Sequence, residues 1–365
     1  MEFRIEPATP EQRRPKPADE SSLGFGKIYS DHMFTMRWTS DGGWGEPTVA
    51  PFANLDLSPA SLVLHYGQTI FEGLKAYRNR GRSGTANLFR AADNAARFNS
   101  SAVRLDLPEV DPDLFVGAIE ALLELDHEWI PRSHGTSLYV RPTMIATEPY
   151  IGLKSTHEAL FFIITGPVGA YYPEGFNPVK ITVAERYSRA GPGGLGAAKT
   201  AANYAASLKA EKEALGRGFT QVLWLDAAEH RYIEEVGSMN ILFKIGGTVI
   251  TPPAGDTILA GITKDSVLKL LRSWDVPVAE ERLTIDDVLG AQENGTLEEV
   301  FGAGTAAVIS PVGALEYEGR THHIANGGTG PLAEKLFDEL IGIQYGARPD
   351  PFGWIREVTP AGAGG

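Results

Sequence analysis

The stretch GPVGAYYPEGFNP, residues 166–178, constrains this chain more than any other. It is dense in glycine, proline and aromatics, and strand-like sequence lies on both sides of it. Glycine and proline interrupt regular structure, so a run of this kind reads as a connector between two folding units. The 365 residues are enough for two ordinary domains. The chain is therefore expected to divide into a polar, Pro-rich N-terminal arm (1–22), a small α/β domain (23–168), an interdomain loop (169–177) and a large α/β domain (178–365). The arm reads as loosely held.

Within these parts strands and helices mix without the strict alternation of a doubly wound sheet. From Lys27, KIYSDHMFTMRW reads as a strand, and TSLYVRPTMIAT, ALFFIITGPVG, VKITVAE and TQVLWLD are rich in β-branched and aromatic residues. NILFKIGGTVITPP reads as a hairpin with Gly246-Gly247 at its tip. LFRAADNAARFNSSAVRL begins as a strand end and becomes a helix. DPDLFVGAIEALLELDHEWI carries Leu114, Ile119, Leu122 and Leu123 at helical spacing. Lys199–Gly216, TKDSVLKLLRSW and GPLAEKLFDELIGIQYG read as further helices. The fold class is mixed α+β.

The formal net charge of −13 argues against nucleic acid, whose partners are basic, but leaves room for an anionic small substrate in a locally positive pocket. There is no cysteine, which rules out disulfides, thiolate nucleophiles and Cys-ligated zinc and fits a reducing, cytoplasmic setting. The first residues lack the apolar core of a signal peptide, and no run of about 18 apolar residues suggests a membrane-spanning helix. His322-His323 lacks a third ligand at metal-binding spacing and reads as a surface strand, so no metal is expected.

Chemistry concentrates around GPGGLGAAKTAANYAASL, where a glycine-rich loop runs into Lys199. The phosphate-loop pattern demands glycine where Ala198 stands, and the added β-carbon interferes with the tight backbone cradle. GAGTAA (302–307) resembles a dinucleotide fingerprint, but a β-branched strand follows it instead of a helix. It reads as a tight strand–turn–strand whose amides and Thr305 hydroxyl can hold an oxyanion. Gly261, Ile262 and Thr263 precede a helix, with Thr263 as the expected N-cap, and a helix start offers N–H groups to a phosphate. Tyr204 lies five residues beyond Lys199, on roughly the same side of the expected helix. YIEEVGSMN ends a strand with two glutamates, Glu234 and Glu235, before a glycine turn. A lysine, a tyrosine, a carboxylate and two oxyanion-holding loops are the parts that a pyridoxal phosphate site requires.

The segments LHYGQTIFEGLKAY, LFRAADNAARF, GTSLYVRPTMIATEP, GPVGAYYP, KTAANYAASLKAE, QVLWLD, EEVGSMN, TPPAGDTILAGIT and EVFGAGTAAVISPVG occur in family order over most of residues 25–345. In them the chain resembles the branched-chain amino-acid aminotransferases, class IV aminotransferases of pyridoxal-phosphate fold type IV. The resemblance implies a two-domain fold like that of D-amino-acid aminotransferase, with the active site between the domains. It implies pyridoxal 5′-phosphate as cofactor and ping-pong transfer from leucine, isoleucine or valine to 2-oxoglutarate. The signatures SLYVRP and EEVGSMN favour this group over D-amino-acid aminotransferases and aminodeoxychorismate lyases of the same fold.

Residue by residue, the resemblance implies that Lys199 forms the Schiff base and serves as the base for the proton shift. Tyr204 would bond the cofactor's phenolic oxygen, and Glu235 would pair with its ring nitrogen. Arg90 would clamp the phosphate, with Ile262, Thr263 and Thr305 as further donors. Ser238 beside the cofactor and Ala306 beside the substrate would border the site. Phe25, Tyr66, Phe71, Tyr139 and Tyr171 would wall an apolar space for the branched side chain, and Arg141 would take the distal carboxylate of glutamate or 2-oxoglutarate. The connector at Gly169–Gly175 would close over the pocket. Partners would be amino acids and 2-oxo acids, with neither nucleic acid nor membrane, in a homodimer whose loops reach the partner's site. Mammalian members carry a redox Cys-x-x-Cys after GTA; Ala307 and Ser310 stand there instead, so thiol regulation is not expected.

Overall fold

The computed structural model describes residues 2–169 and 176–360. The chain forms two compact units. The first takes residues 1–171, 198–201 and 342–365, and the second takes 172–197 and 202–341. Most of the expected interdomain loop, Tyr171 included, lies outside the described residues. The chain end from Gly342 and the short segment Ala198–Ala201 belong to the first unit.

In chain order the strands of the first unit are β1 (Arg4–Ile5), β2 (His32–Thr39), β3 (Gly43–Trp44), β4 (Thr48–Pro51), β5 (Thr69–Phe71), β6 (Leu74–Arg78), β7 (Ala86–Phe89), β8 (Ser137–Ala146) and β9 (Glu158–Val168). Those of the second are β10 (Val179–Val183), β11 (Gln221–Leu225), β12 (Ile233–Val236), β13 (Met239–Ile245), β14 (Thr248–Thr251), β15 (Val278–Glu280), β16 (Leu297–Gly304), β17 (Val308–Tyr317) and β18 (Arg320–His323). A last strand, β19 (Ile355–Val358), returns to the first sheet and pairs antiparallel with β7. The helices are α1 (Leu62–Tyr66), α2 (Ala91–Arg104), α3 (Pro112–Leu125), α4 (Ala201–Gly216), α5 (Ile262–Ser273), α6 (Ile285–Glu293) and α7 (Pro331–Gln344).

The first sheet runs β1-β4-β2-β9-β8-β6-β7-β19, with β3 on β2 and β5 on β8. All its pairings but β1–β4 are antiparallel. Side chains alternate across a pleat, so one face can be a core while the other serves chemistry. Leu138, Val140 and Met144 of β8, Phe161 and Ile163 of β9 and Phe34 and Met36 of β2 pack under α2 and α3 in one cluster. At its centre Phe161 lies 5.3 Å from Phe98, 5.4 Å from Phe34 and 5.8 Å from Phe115, ring centre to ring centre. The helix α3 starts where the sequence sets it: Pro112 is its first residue, and Asp111 accepts the N–H groups of Asp113 and Leu114.

The N-terminal arm is held more firmly than its composition suggests. β1 pairs with β4, and the Ala8 N–H donates to buried His32 Nε2 at 2.8 Å. His32 Nδ1 lies 2.6 Å from Asp126 Oδ1, so imidazole and carboxylate anchor the arm from inside the unit. Polar sequence predicts solvent, but it cannot show that buried acceptors await its amides.

The second sheet runs β12-β11-β10-β17-β16-β13-β14-β15, with β18 on β17 and a further β12–β13 pairing. It is mixed: β10 is parallel to both β11 and β17, and β14 to β15, while β16–β17 and β13–β14 are antiparallel. The hairpin at Gly246-Gly247 forms as expected, between Ile245 and Thr248.

Truncating the centre of the aromatic cluster tests this packing. Phe161→Ala should destabilise the first unit by about 3–5 kcal/mol, through lost burial and a residual cavity. The shift of that unit's urea midpoint, followed by near-ultraviolet circular dichroism, checks it.

Candidate active site

The outer face of β8 carries two of the expected site residues of the first unit, Tyr139 and Arg141. In SLYVRPT the pleat sends Leu138 and Val140 into the core and Tyr139 and Arg141 the other way. Arg141 Nη2 donates to the Tyr139 hydroxyl at 2.9 Å, and its guanidinium lies 4.7 Å from the centre of the Phe71 ring. Phe25 meets Tyr139 edge-on at 4.9 Å. Gly73 leaves room beneath this hydroxyl; a β-carbon there would displace the Tyr139 ring. Phe25, Tyr139 and Arg141 line a cavity of about 140 Å³, and the Nε of Arg141 is buried without a hydrogen-bond partner. Lys75 sits opposite Tyr139 on β6, and burial pushes the pKa of its ammonium down to about 8. Tyr66 stands elsewhere, exposed on α1, with its hydroxyl donating to the Ile151 carbonyl.

Lys199 is not in a helix. The helix α4 begins at Ala201, and the lysine lies in an extended segment annealed to the first unit. The Phe71 N–H donates to its carbonyl at 3.0 Å, its own N–H donates to Ser101 Oγ at 2.9 Å, and the Thr200 hydroxyl donates to the Thr69 carbonyl at 2.7 Å. Alanine-rich sequence around Lys199 favours helix, but these three tertiary hydrogen bonds pull the segment straight. Its ammonium consequently lies 4.9 Å from the Phe71 ring centre, beside the same ring as Arg141. Tyr204, half-buried, falls in the first turn of α4.

Arg90, read by itself, has the look of a surface charge, yet it is 5% exposed. It is the N-cap of α2 in left-handed backbone, φ 53°, a conformation costing a non-glycine residue about 1–2 kcal/mol. Its N–H donates to the Trp354 carbonyl, its guanidinium faces the Trp354 ring at 5.5 Å, and its Nε donates to Asp93 at 2.8 Å. Strain of this kind gathers where a side chain must be aimed.

In the second unit Glu234 and Glu235 are both buried on β12. The Leu259 N–H donates to Glu235 Oε1 at 2.9 Å, and Arg189 Nε lies 2.8 Å from Oε2 with its N–H not aligned on that oxygen. Arg189 also donates to the carbonyls of Gly196 and Thr257, clasping the glycine-rich loop to the 256–261 strap. A β-carbon at Gly196 would collide with the Thr257 backbone. Sequence reasoning does not single out Arg189; its only signal is its place just ahead of the glycine run.

The start of α5 differs from expectation. Gly261, not Thr263, is the N-cap, and no side chain caps the helix; Ile262 and Thr263 are its first two residues, both buried. Thr305 and Ala306 occupy the tight turn between β16 and β17, where Gly304 pairs with Val308, the strand–turn–strand that the sequence implies. Ser238 is exposed in the two-residue turn from β12 to β13.

These groups fit the donor set of pyridoxal phosphate, judged unit by unit. The first unit offers a primary amine beside an aromatic ring, together with the guanidinium groups of Arg90 and Arg141. The second offers a buried carboxylate suited to a ring N–H⁺, and a helix start without a side-chain cap suited to a phosphate. Among the described residues no cluster of histidine and carboxylate suits a metal, and no helix is long and apolar enough to cross a membrane.

Comparison with known proteins agrees. The family model for amino-transferase class IV matches residues 69–315. The chain is 50% identical over 347 residues to branched-chain-amino-acid aminotransferase 2 of Bacillus subtilis, covering 95% of each chain. Its fold is similar to the branched-chain amino acid aminotransferase of Escherichia coli, with a TM-score of 0.73 and 25% identity over 88% of this chain and 98% of that one. It is also similar to the branched-chain amino acid aminotransferase of T.th. complexed with N-(5′-phosphopyridoxyl)-L-glutamate, at TM-score 0.70 and 25% identity, covering 88% and 97%.

The turn that leads into β12 has a measurable acid sensitivity. Burial opposes the charge of Asp226, but N–H groups of Arg231, Glu229, Tyr232 and Ala228 outweigh it and hold the pKa below the ordinary 3.8. A depressed carboxyl stabilises the fold above its unfolded pKa, and the contribution disappears as pH falls through the folded value. Asp226→Asn should remove about 2 kcal/mol at neutral pH and flatten the acid limb of the second unit's stability profile. Thermal midpoints of both proteins from neutral pH into acid check this.

Proposed function

This chain belongs to the class IV aminotransferases and, within them, to the branched-chain-amino-acid aminotransferases, and from that premise we propose which of its residues carry the reaction. The enzyme moves the amino group of leucine, isoleucine or valine to 2-oxoglutarate, giving the branched-chain 2-oxo acid and glutamate, with pyridoxal 5′-phosphate as cofactor. Bound, that cofactor supplies an aldehyde for the amino group and a protonated ring that drains the charge left by a departing α-proton.

Lys199 anchors the cofactor through its amine and carries the α-proton on Nζ. The backbone at Lys199 and Thr200, ahead of α4, serves this role, because it fixes the lysine by main-chain bonds and leaves its amine over the Phe71 ring. Glu235 holds the proton on the ring nitrogen, and Tyr204 bonds the phenolic oxygen. Arg90, the first amides of α5 and Thr305 take the phosphate, with Ser238 and Ala306 at the border. Phe25, Phe71 and Tyr139 present apolar faces to a branched side chain.

The observation that carries the substrate reading is Arg141. Its Nε is buried and unpartnered beside a cavity of about 140 Å³, while its Nη2 is spent on Tyr139. A buried donor without an acceptor is costly alone and is satisfied by a substrate carboxylate. A single pocket must accept an aliphatic and an acidic side chain in turn, and an apolar wall with one arginine at its edge meets both demands.

A homodimer is part of the same reading. Ile151 and Leu153 are 71% and 83% exposed, and Tyr66 on α1, itself exposed, reaches the Ile151 carbonyl through its hydroxyl. Large apolar side chains left exposed side by side support burial against a second copy.

Borohydride reduction of the loaded enzyme followed by peptide mapping should find the phosphopyridoxyl group on Lys199, and Lys199→Ala should slow transamination by roughly 10²–10⁴-fold or more. An adduct on another lysine would reassign the anchor. Sedimentation should give a dimer that Leu153→Asp converts towards monomer; a wild-type monomer at micromolar concentration would remove the dimer from this reading.

A further inference from the structure

The paired glutamates of β12 are not equivalent, and Glu234 has a role of its own. It is as deeply buried as its neighbour, 5% exposed against 4% for Glu235. The charged groups acting on it are Arg189 from the loop after β10, Glu235 from its own strand and Asp226 from the end of β11. One cation therefore faces three carboxylates. Asp226 is satisfied by four backbone N–H groups, and Glu235 has Arg189 and the Leu259 amide. Glu234 has the Thr257 hydroxyl acting on it and nothing for Oε2, which is sealed from solvent without a hydrogen-bond partner.

An ionised carboxylate with a dry, bare oxygen is among the most unfavourable arrangements in a protein interior. A protonated one is not. A neutral acid has an O–H to turn toward the Thr257 hydroxyl, and its other oxygen is an ordinary carbonyl, far cheaper to leave unpaired. Burial foremost, with Glu235 and Asp226, raises the affinity of Glu234 for its proton; Thr257 and Arg189 offset this only in part.

We propose that Glu234 is a positioning residue held as a neutral carboxylic acid on Thr257, so that the charge of Arg189 serves Glu235 alone. The proposal rests on the assignment of Glu235 to the cofactor's ring nitrogen. Arg189 also donates to the Thr257 carbonyl, and the same strap supplies the Leu259 N–H that aims Glu235. Ionising Glu234 at alkaline pH sets two carboxylates competing for one guanidinium and breaks the O–H bond to the strap. Glu235 then loses its alignment, and the cofactor its hold.

Infrared difference spectra of the cofactor-free enzyme at neutral pH test the protonation directly. The wild type should show a protonated-carboxyl C=O band that Glu234→Gln lacks and Glu235→Gln retains. Absorbance titration with pyridoxal phosphate tests the consequence. Glu234→Gln should bind it as the wild type does at neutral pH, whereas at alkaline pH the wild type should bind about tenfold more weakly than the variant, one pKa unit's worth of coupling. A band unchanged in Glu234→Gln, pH profiles that coincide, or a variant already weakened tenfold at neutral pH would each overturn the proposal. Should Glu234→Gln fold poorly, Thr257→Val must shift the same band, and an unshifted band overturns the hydrogen-bonded acid. A Glu235→Gln enzyme with wild-type cofactor affinity would instead refute the assignment beneath it.

Discussion

The two-residue period of a pleated strand is the constraint on which the first unit depends. In β8 it gives Leu138, Val140 and Met144 to the aromatic core and Tyr139 and Arg141 to the opposite face. A slip of one residue would bury the guanidinium among phenylalanines and expose the leucines, so register and chemistry are selected together. The strong packing around Phe161 is thus what holds Arg141 in place. Tyr139 and Arg141 keep their register because the side of the sheet they do not occupy is full.

The second unit solves a different problem, that of keeping a carboxylate charged in a dry interior. Glu235 is tolerated because Arg189 and the Leu259 amide face it. Arg189 does more than neutralise: its carbonyl contacts to Gly196 and Thr257 join the glycine loop to the 256–261 strap. Electrostatics and loop geometry consequently meet in one side chain. Glycine at 196 is the steric condition for it, since any side chain there would push the two segments apart.

Much of this is legible in the chain. Long antiparallel strands, the capped start of α3 and the hairpin at Gly246-Gly247 follow from local preferences that tertiary structure has no reason to override. Where expectation and structure part, a long-range partner is the cause. Local preference has Lys199 opening a helix; hydrogen bonds to Phe71, Ser101 and Thr69, some hundred residues away in sequence, keep it extended. Composition makes the N-terminal arm loose; His32 and Asp126 hold it. The short β19 gives no signal by itself, and only the open edge of β7 makes it a strand.

The order of motifs along the sequence determined the family, and with it the kind of chemistry, because residue type and spacing are what a reaction demands of a chain. The sequence also determined the pleat alternation and most turns, which depend on neighbours within a few positions. Tertiary structure alone decided that Arg90 is buried and strained, that Lys199 and Arg141 share the Phe71 ring, and that Arg189 meets Glu235 while holding the Gly196 and Thr257 carbonyls. Those are relations between segments far apart in the chain, set by which hydrogen-bond partners remain once the core has closed.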